Sequence, residues 1–175
     1  MAILLISGSP RPEGLTIRAV RAVDRQLVAA DVATDVLDLA QVELPTYRGE
    51  PVAAVGLESR RRVRESDALI LASPEYHGGM SGAMKTFLDY LTFDEVRDRC
   101  VGFIGVASSP HGGTRPVLQM QEVVTALWGR PIGPALAVSG VKEAFDEQGG
   151  FRDAQLQRLL PMFVDRMQAV IQDTL

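Results

Sequence analysis

The chain has 175 residues, of which 46% are hydrophobic and 23% charged, and its formal net charge is −4 at pH 7. This length and composition predict a single domain, residues 1–175, with enough apolar side chains for a sizeable core. The acidic balance argues against a nucleic-acid-binding protein, which usually carries a basic patch, and the single cysteine excludes an intrachain disulfide. Because neither a signal-peptide pattern nor an apolar run near ~18 residues is found, we expect a cytoplasmic protein that binds no membrane.

Short apolar runs alternate with longer helical patterns along the chain. The predicted strands are Ile3–Ser7, Thr34–Leu39, Ala68–Ala72, Cys100–Ala107 and Ala135–Val138. The predicted helices cover about residues 16–30, 55–65, 82–91, the segment that follows Thr114, and 153–172. Alternation of this kind predicts an α/β domain, a parallel sheet with helices on both faces. The second helix carries the one basic cluster, Arg60–Arg62 with Arg64, and nearby glutamates lead us to expect a solvated face there.

The segment Ser7–Thr16 connects the first strand to the first helix and has the composition of an anion site. Free backbone N–H groups and the positive end of the helix dipole favour an anion at such a turn. Ser9 and Thr16 add hydroxyl donors, and Arg11 adds a charge-assisted donor for a phosphate. A helix cap with a solvent-facing arginine is the alternative.

Other chemistries are not supported by the residues present. A dinucleotide-binding fingerprint requires glycine where Pro10 stands, and a P-loop requires lysine where Leu15 stands. Metal-ligand spacing and a Gly-x-Ser-x-Gly elbow are absent from the sequence. Cys100 starts an apolar strand, and we expect a core residue rather than a nucleophile. A site without an acid–base set is typical of an enzyme whose cofactor carries the chemistry.

The turn Pro74–Gly79 follows the third strand, and the carboxyl ends of strands are where open α/β sheets bind ligands. Its glycines allow the backbone to approach a ligand closely, and Tyr76 can pack against a planar ring. Glu75 is interpreted either as a general acid or base or as a solvated turn residue. An ordinary strand–helix turn with a half-buried tyrosine is the alternative for the whole segment.

The segment Ser108–Thr114 repeats this pattern after the fourth strand. Backbone amides of Gly112 and Gly113 could stabilise negative charge on a ring, as oxyanion donors do, whereas a mobile loop is the other interpretation. A phosphate on one turn and a planar ring on another together indicate FMN as the ligand.

These motifs resemble the NADPH-dependent FMN reductase family. The resemblance rests on Gly8-Ser-Pro-Arg11 with Thr16, on Ser73-Pro-Glu-Tyr-His-Gly78 with Ser81-Gly-Ala-Met-Lys85 and Leu88-Asp89, and on Ala144-Phe-Asp-Glu147 with Gly150 and Asp153. It covers nearly the whole chain. It implies a flavodoxin-like fold, with a doubly wound sheet of five parallel strands in the order 2-1-3-4-5.

The resemblance also implies which residues bind FMN. The first turn would hold the phosphate, and the second and third would line the isoalloxazine ring. These residues are Ser9, Arg11, Gly14, Leu15 and Thr16 for the phosphate, Pro74, Glu75, Tyr76, His77 and Gly78 for the ring, and Ser108, Gly112 and Gly113 for its third side. Gly14 stands where many members have a serine, and His77 stands where asparagine is common.

The implied activity is hydride transfer from NADPH or NADH to FMN, followed by reduction of a small-molecule acceptor. The acceptor would be a flavin, a quinone, or an azo, nitro or metal-oxyanion compound. The resemblance implies a homodimer or homotetramer with the helix after Gly82 near the interface, to which Phe87, Tyr90 and Phe93 could contribute. Two rivals stay open at this point: a flavodoxin-like electron carrier without NAD(P)H activity, and a flavin-free interaction module.

Overall fold

A parallel sheet forms the centre of the computed structural model, which describes residues 2–49, 52–109, 112–140 and 144–172. Its strands are β1 (Ala2–Ser7), β2 (Ala33–Asp38), β3 (Ala68–Pro74), β4 (Cys100–Val106), β5 (Arg130–Pro131) and β6 (Leu136–Val138). They lie in the order β2-β1-β3-β4-β5, and β6 also pairs with β4. Because each of these pairings is parallel, the strands end at the same edge of the sheet.

The fifth position of the sheet is shared by two short strands. β5 pairs with Cys100 and Val101 at the start of β4, whereas β6 pairs with residues 104–106 at its end. The predicted doubly wound fold and its strand order are confirmed, but the described residues form six strands rather than five. Sequence periodicity does not predict β5, because a strand of two residues, one of them proline, shows no alternation.

Helices cover both faces of the sheet. They are α1 (Leu15–Ala29), α2 (Ala54–Glu65), α3 (Gly82–Asp89), α4 (Phe93–Val96), α5 (Thr114–Ala126) and α6 (Ala154–Gln172). One core cluster packs α1 and α6 against Ile3 and Leu5 of β1, and the other packs α3 and α5 against Leu4 and Ile6. Burial on both faces explains why apolar residues run without alternation in these strands. None of the helices in the described ranges is long and apolar enough to cross a bilayer.

Hydrophobic periodicity does not predict the short helix α4, although the sequence contains a capping signal. Thr92 and Glu95 form a capping box, in which Glu95 accepts from the Thr92 backbone N–H at 2.8 Å. The Glu95 side chain is 1% exposed and also pairs with Arg64 at 2.6 Å. Burial raises the pKa of this carboxyl, but hydrogen bonds from Thr92 and Arg64 outweigh burial and lower the pKa overall.

The irregular segment after β2 is held by the buried side chain of Tyr90. The Tyr90 hydroxyl donates to the Pro45 carbonyl at 2.9 Å. Gly56 permits this burial, because a Cβ at position 56 would lie 2.2 Å from the Tyr90 ring. Arg60 is 9% exposed and donates to the Tyr90 carbonyl at 2.5 Å. The expectation of a solvated arginine face is therefore wrong for Arg60.

Candidate functional site

Three turns meet at the edge where β1, β3 and β4 end: the first turn (residues 8–14), the second turn (75–81) and the third turn (107–113). They border an open cavity of about 360 Å³. It is lined by Ser9, Arg11, Glu13, Gly14, Leu15, Thr16, Pro74, Glu75, Tyr76, Val106, Ala107 and Ser108. The sequence analysis did not select Glu13, Val106 and Ala107. The location of Val106 and Ala107 at the carboxyl end of β4 was the signal that could have identified them.

Some of the predicted residues lie outside this lining. They are His77, Gly78, Gly112 and Gly113. All four belong to the second and third turns, so their contact with a ring stays a prediction. Positions 110 and 111 of the third turn lie outside the described residues.

The first turn leaves the start of α1 open to an anion. Gly14 is the N-cap, no side chain caps the helix, and its first turn contains no acidic residue. The buried Ser9 hydroxyl accepts from the Arg11 backbone N–H at 3.1 Å, which closes the turn. A Cβ at position 14 would lie 3.1 Å from the Arg11 carbonyl and 3.3 Å from the Ser9 hydroxyl, so a serine there would crowd the turn. Thr16 is also buried at this helix start.

Two charged side chains of the first turn have different partners. Glu13 pairs with Arg21 at 3.0 Å. A hydrogen bond from Arg21 and its positive charge lower the pKa of Glu13, so the Glu13 carboxylate already has a cation beside it. Arg11 is exposed, and its guanidinium lies 5.9 Å from the centre of the Tyr76 ring. Arg11 therefore extends from the first turn towards the second.

The second turn has a type I′ conformation. Tyr76 and Gly79 exchange backbone hydrogen bonds of 2.9 and 3.1 Å, and His77 and Gly78 between them have φ values of 50° and 81°. Asparagine and histidine are among the residues with side chains that best tolerate a left-handed φ. The backbone conformation therefore explains why histidine can replace the expected asparagine at position 77.

Ser81 connects the second turn to the first turn, to β3 and to α3. The Ser81 hydroxyl donates to the Gly8 carbonyl and accepts from the Met84 N–H. The Ser81 backbone N–H donates to the Ser73 hydroxyl at 2.9 Å. A Cβ on Gly8 would lie 2.7 Å from a Met84 carbon and 2.9 Å from the Ala72 carbonyl oxygen, so the contact between the turns requires glycine. The first two turns are thus held at a fixed separation.

Glu75 joins the second turn to the third. Its side chain is 10% exposed, and Oε2 accepts from the Gly113 backbone N–H at 2.7 Å. The interpretation of Glu75 as a solvated turn residue does not match this burial. Gly113 has a φ of 94°, and it packs so closely on β4 that a Cβ on Gly105 would lie 1.7 Å from the Gly113 oxygen. The Gly113 amide, which we predict to face a ring, therefore has a partner within the chain.

The residues of this cavity fit the two ends of FMN. The uncapped start of α1, the exposed Arg11 and the buried Ser9 hydroxyl suit a phosphate. Pro74 and Tyr76, beside the closely packed backbone of β4, suit a planar ring. Across the part of the chain that the structure describes, no group of three or more histidine, cysteine, aspartate or glutamate side chains could hold a metal ion.

Known proteins resemble this chain along most of its length. Residues 1–143 match the family model described as NADPH-dependent FMN reductase. The chain belongs to this family. It is 31% identical over 153 residues to the NADPH azoreductase of Bacillus sp. (strain OY1-2). That alignment covers 85% of this chain and 83% of the relative. It is 25% identical over 180 residues to the FMN-dependent NADPH-azoreductase of Staphylococcus aureus (strain USA300), which covers 98% of this chain and 95% of the relative.

A solved structure shows the same fold. FerB, a flavoenzyme NAD(P)H:(acceptor) oxidoreductase from Paracoccus denitrificans, matches with a TM-score of 0.83 at 18% identity, covering 98% of this chain and 97% of that one. Together with the strand order, this likeness confirms the flavodoxin-like fold. Family membership confirms the predicted oxidoreductase class, with FMN and NADPH as the cofactors of the family.

Proposed function

We propose that the chain binds FMN in the cavity at the carboxyl ends of β1, β3 and β4, oxidises NADPH or NADH, and reduces a small-molecule acceptor. The acceptor is a free flavin, a quinone, or a xenobiotic with an azo, nitro or metal-oxyanion group. Two relatives named as NADPH azoreductases support the azo class. One observation carries the proposal: a single cavity combines an uncapped helix start with an aromatic side chain, Tyr76.

The residues of the chain would bind and orient the cofactor. Ser9, Arg11 and Thr16, with the first backbone N–H groups of α1, would hold the phosphate. Pro74 and Tyr76 would pack along the ring and fix its plane. Bound FMN would supply the hydride-accepting chemistry of the reaction. The hydrogen bonds that join the three turns keep these groups in place before the ligand arrives.

The openness of the cavity matters for the second substrate. Its lining comes from one edge of the sheet, and it is a cleft rather than a closed chamber. A nicotinamide and an electron acceptor can therefore use the same open side in turn. A cleft of this kind places few steric demands on the acceptor, which supports a broad acceptor class.

Anaerobic mixing with NADPH tests the proposed activity. The purified protein is first titrated with FMN in a calorimeter and then mixed with NADPH. We expect FMN uptake and rapid bleaching of the flavin absorbance. A yellow spectrum that NADPH and NADH leave unchanged would instead identify the electron carrier, and no FMN uptake would identify the flavin-free module. The ratio of bleaching rates with the two nucleotides gives the preferred donor.

A steady-state screen tests the acceptor class. Initial rates of NADPH oxidation are compared for free FMN, a quinone, an azo dye, a nitroaromatic compound and a metal oxyanion. We expect the azo dye to be reduced, with a rate that disappears when FMN is omitted from protein freed of flavin. Failure of every acceptor except molecular oxygen would contradict the proposed acceptor range.

We also propose that the protein is a cytoplasmic homodimer or homotetramer of one-domain subunits. Phe87 and Tyr90, two of the predicted interface residues, lie in the core with exposures of 0% and 2% and do not form a surface contact. Phe93 is 41% exposed, and its ring centre lies 4.9 Å from that of Trp128, which is 58% exposed. This exposed aromatic pair supports an interface there. Light scattering should show an oligomer for the wild type and a smaller species for Phe93→Ser; a monomeric wild type would contradict the proposal.

A further inference from the structure

Glu75 places a largely buried carboxylate in the wall of the cavity. Its backbone N–H donates to the Val106 carbonyl at 2.7 Å, which ties the residue to the end of β4. Its Oε2 accepts from the Gly113 N–H at 2.7 Å, and its Oε1 lies 3.3 Å from a guanidinium nitrogen of Arg115. The Glu75 side chain is 10% exposed, whereas that of Arg115 is 71% exposed. Because its cationic partner is largely solvated, the negative charge of Glu75 is only partly offset.

The same carboxylate holds Gly112 and Gly113 in position before α5. Gly113 is the N-cap of α5, and as a glycine it has no side chain with which to cap that helix. The Glu75 carboxylate performs this role from 38 residues earlier in the chain, at the positive end of the α5 dipole. Gly112 packs against the same group, since a Cβ there would lie 3.3 Å from Glu75 Oε2 and 2.2 Å from the Ala107 Cβ. The positions of Gly112 and Gly113 thus depend on a group that belongs to the second turn.

The position of this charge has a consequence for a bound flavin. Glu75 lines the cavity together with Tyr76 of the second turn and Ser108 of the third, and the start of α1 contributes to the same lining. If FMN binds as proposed above, the carboxylate is near the ring rather than the phosphate. Reduction adds negative charge to the ring, and a nearby negative charge opposes that change.

We propose that Glu75 is a positioning residue that fixes Gly112 and Gly113 and lowers the reduction potential of bound FMN. The inference rests on the proposed function, because it requires the ring to lie between the second and third turns. A lower potential makes the reduced flavin a stronger donor to acceptors. Nothing in this role requires Glu75 to exchange a proton with a substrate.

The test compares Glu75→Gln, Glu75→Ala and a charge control. Glutamine keeps an oxygen that can accept from the Gly113 N–H but removes the charge. We expect Glu75→Gln to bind reduced FMN about tenfold more tightly relative to oxidised FMN, which corresponds to a rise of about 30 mV in the two-electron midpoint potential. Glu58→Gln serves as the control. Glu58 is 53% exposed and pairs with Arg61 on α2. It borders a separate cleft, which also contains Ala2 and therefore lies at the opposite edge of the sheet. The potential of Glu58→Gln should equal that of the wild type.

A second measurement on the protein without flavin tests the positioning role. We expect Glu75→Ala to speed hydrogen exchange of the Gly113 amide about tenfold, and Glu75→Gln to change it much less. Equal midpoint potentials for wild type and Glu75→Gln would overturn the tuning role, and unchanged exchange in Glu75→Ala would overturn the positioning role. A wild-type protein that takes up no FMN would instead overturn the proposed function, while the exchange result would still decide the contact between the turns.

Discussion

Arg11→Ala gives a direct test of the phosphate end of the cavity. Arg11 is exposed, and the central carbon of its guanidinium lies over the Tyr76 ring, 5.9 Å from the ring centre. A charge-assisted hydrogen bond contributes about 1.5–3 kcal/mol, and exposure to solvent favours the lower limit. A loss of about 1.5 kcal/mol corresponds to a roughly tenfold weaker affinity for FMN. Riboflavin has no phosphate, and the aromatic contact of Arg11 is with Tyr76 rather than with the flavin, so the affinity for riboflavin should change little.

The assay is fluorescence or calorimetric titration of both flavins on protein freed of flavin, at low and at high salt. The preference for FMN over riboflavin should fall about tenfold in Arg11→Ala, and the difference should shrink as salt rises. Arg97→Ala is the matched control, because Arg97 follows α4, stacks on Trp128, and does not line the cavity. Equal losses of FMN and riboflavin affinity in Arg11→Ala would refute the phosphate contact, as would an equal effect of Arg97→Ala.

Three further predictions follow from backbone contacts and charge. Gly105→Ala should lower the free energy of unfolding by about 3 kcal/mol, because the added Cβ would lie 1.7 Å from the Gly113 oxygen. A loss below about 1 kcal/mol in denaturant titration would show that Gly113 can move away from β4. Burial raises the pKa of Glu95, but hydrogen bonds from the neighbouring threonine and arginine outweigh burial and lower the pKa overall. The stability that this carboxylate contributes should therefore be present above about pH 4.3 and be lost as pH falls through the lower folded-state pKa. The acid-unfolding curve of Glu95→Gln should lack this loss. Gly78→Val should weaken FMN binding, because a β-branched residue strains the turn at a φ of 81°. Gly49→Val is the control: Gly49 has a similar φ of 87° but lies in open space, so this change should leave the FMN affinity unchanged. Equal FMN affinities in both variants would contradict a ring-binding second turn.

Local patterns in the sequence determined the fold and selected the turns that border the candidate site. Apolar runs bounded by turn residues located β1, β3, β4 and β6 to within two residues, and helical spacing located the longer helices. The general rule that open α/β sheets bind ligands where strands end then selected three turns, and the structure brings those turns to one cavity. The fold could be predicted because hydrophobic periodicity and turn chemistry are properties of neighbouring residues.

Only the tertiary structure decided which polar groups are buried and what they contact. The residues around Glu75 do not reveal whether its carboxylate is solvated, because the group that covers it, Gly113, comes 38 residues later. Arg60 has the local pattern of a solvated arginine, but Tyr90, 30 residues away, buries it. Burying a polar group is favourable only when a hydrogen-bond partner is present. In this fold the chain crossovers supply those partners, so local sequence patterns do not reveal them.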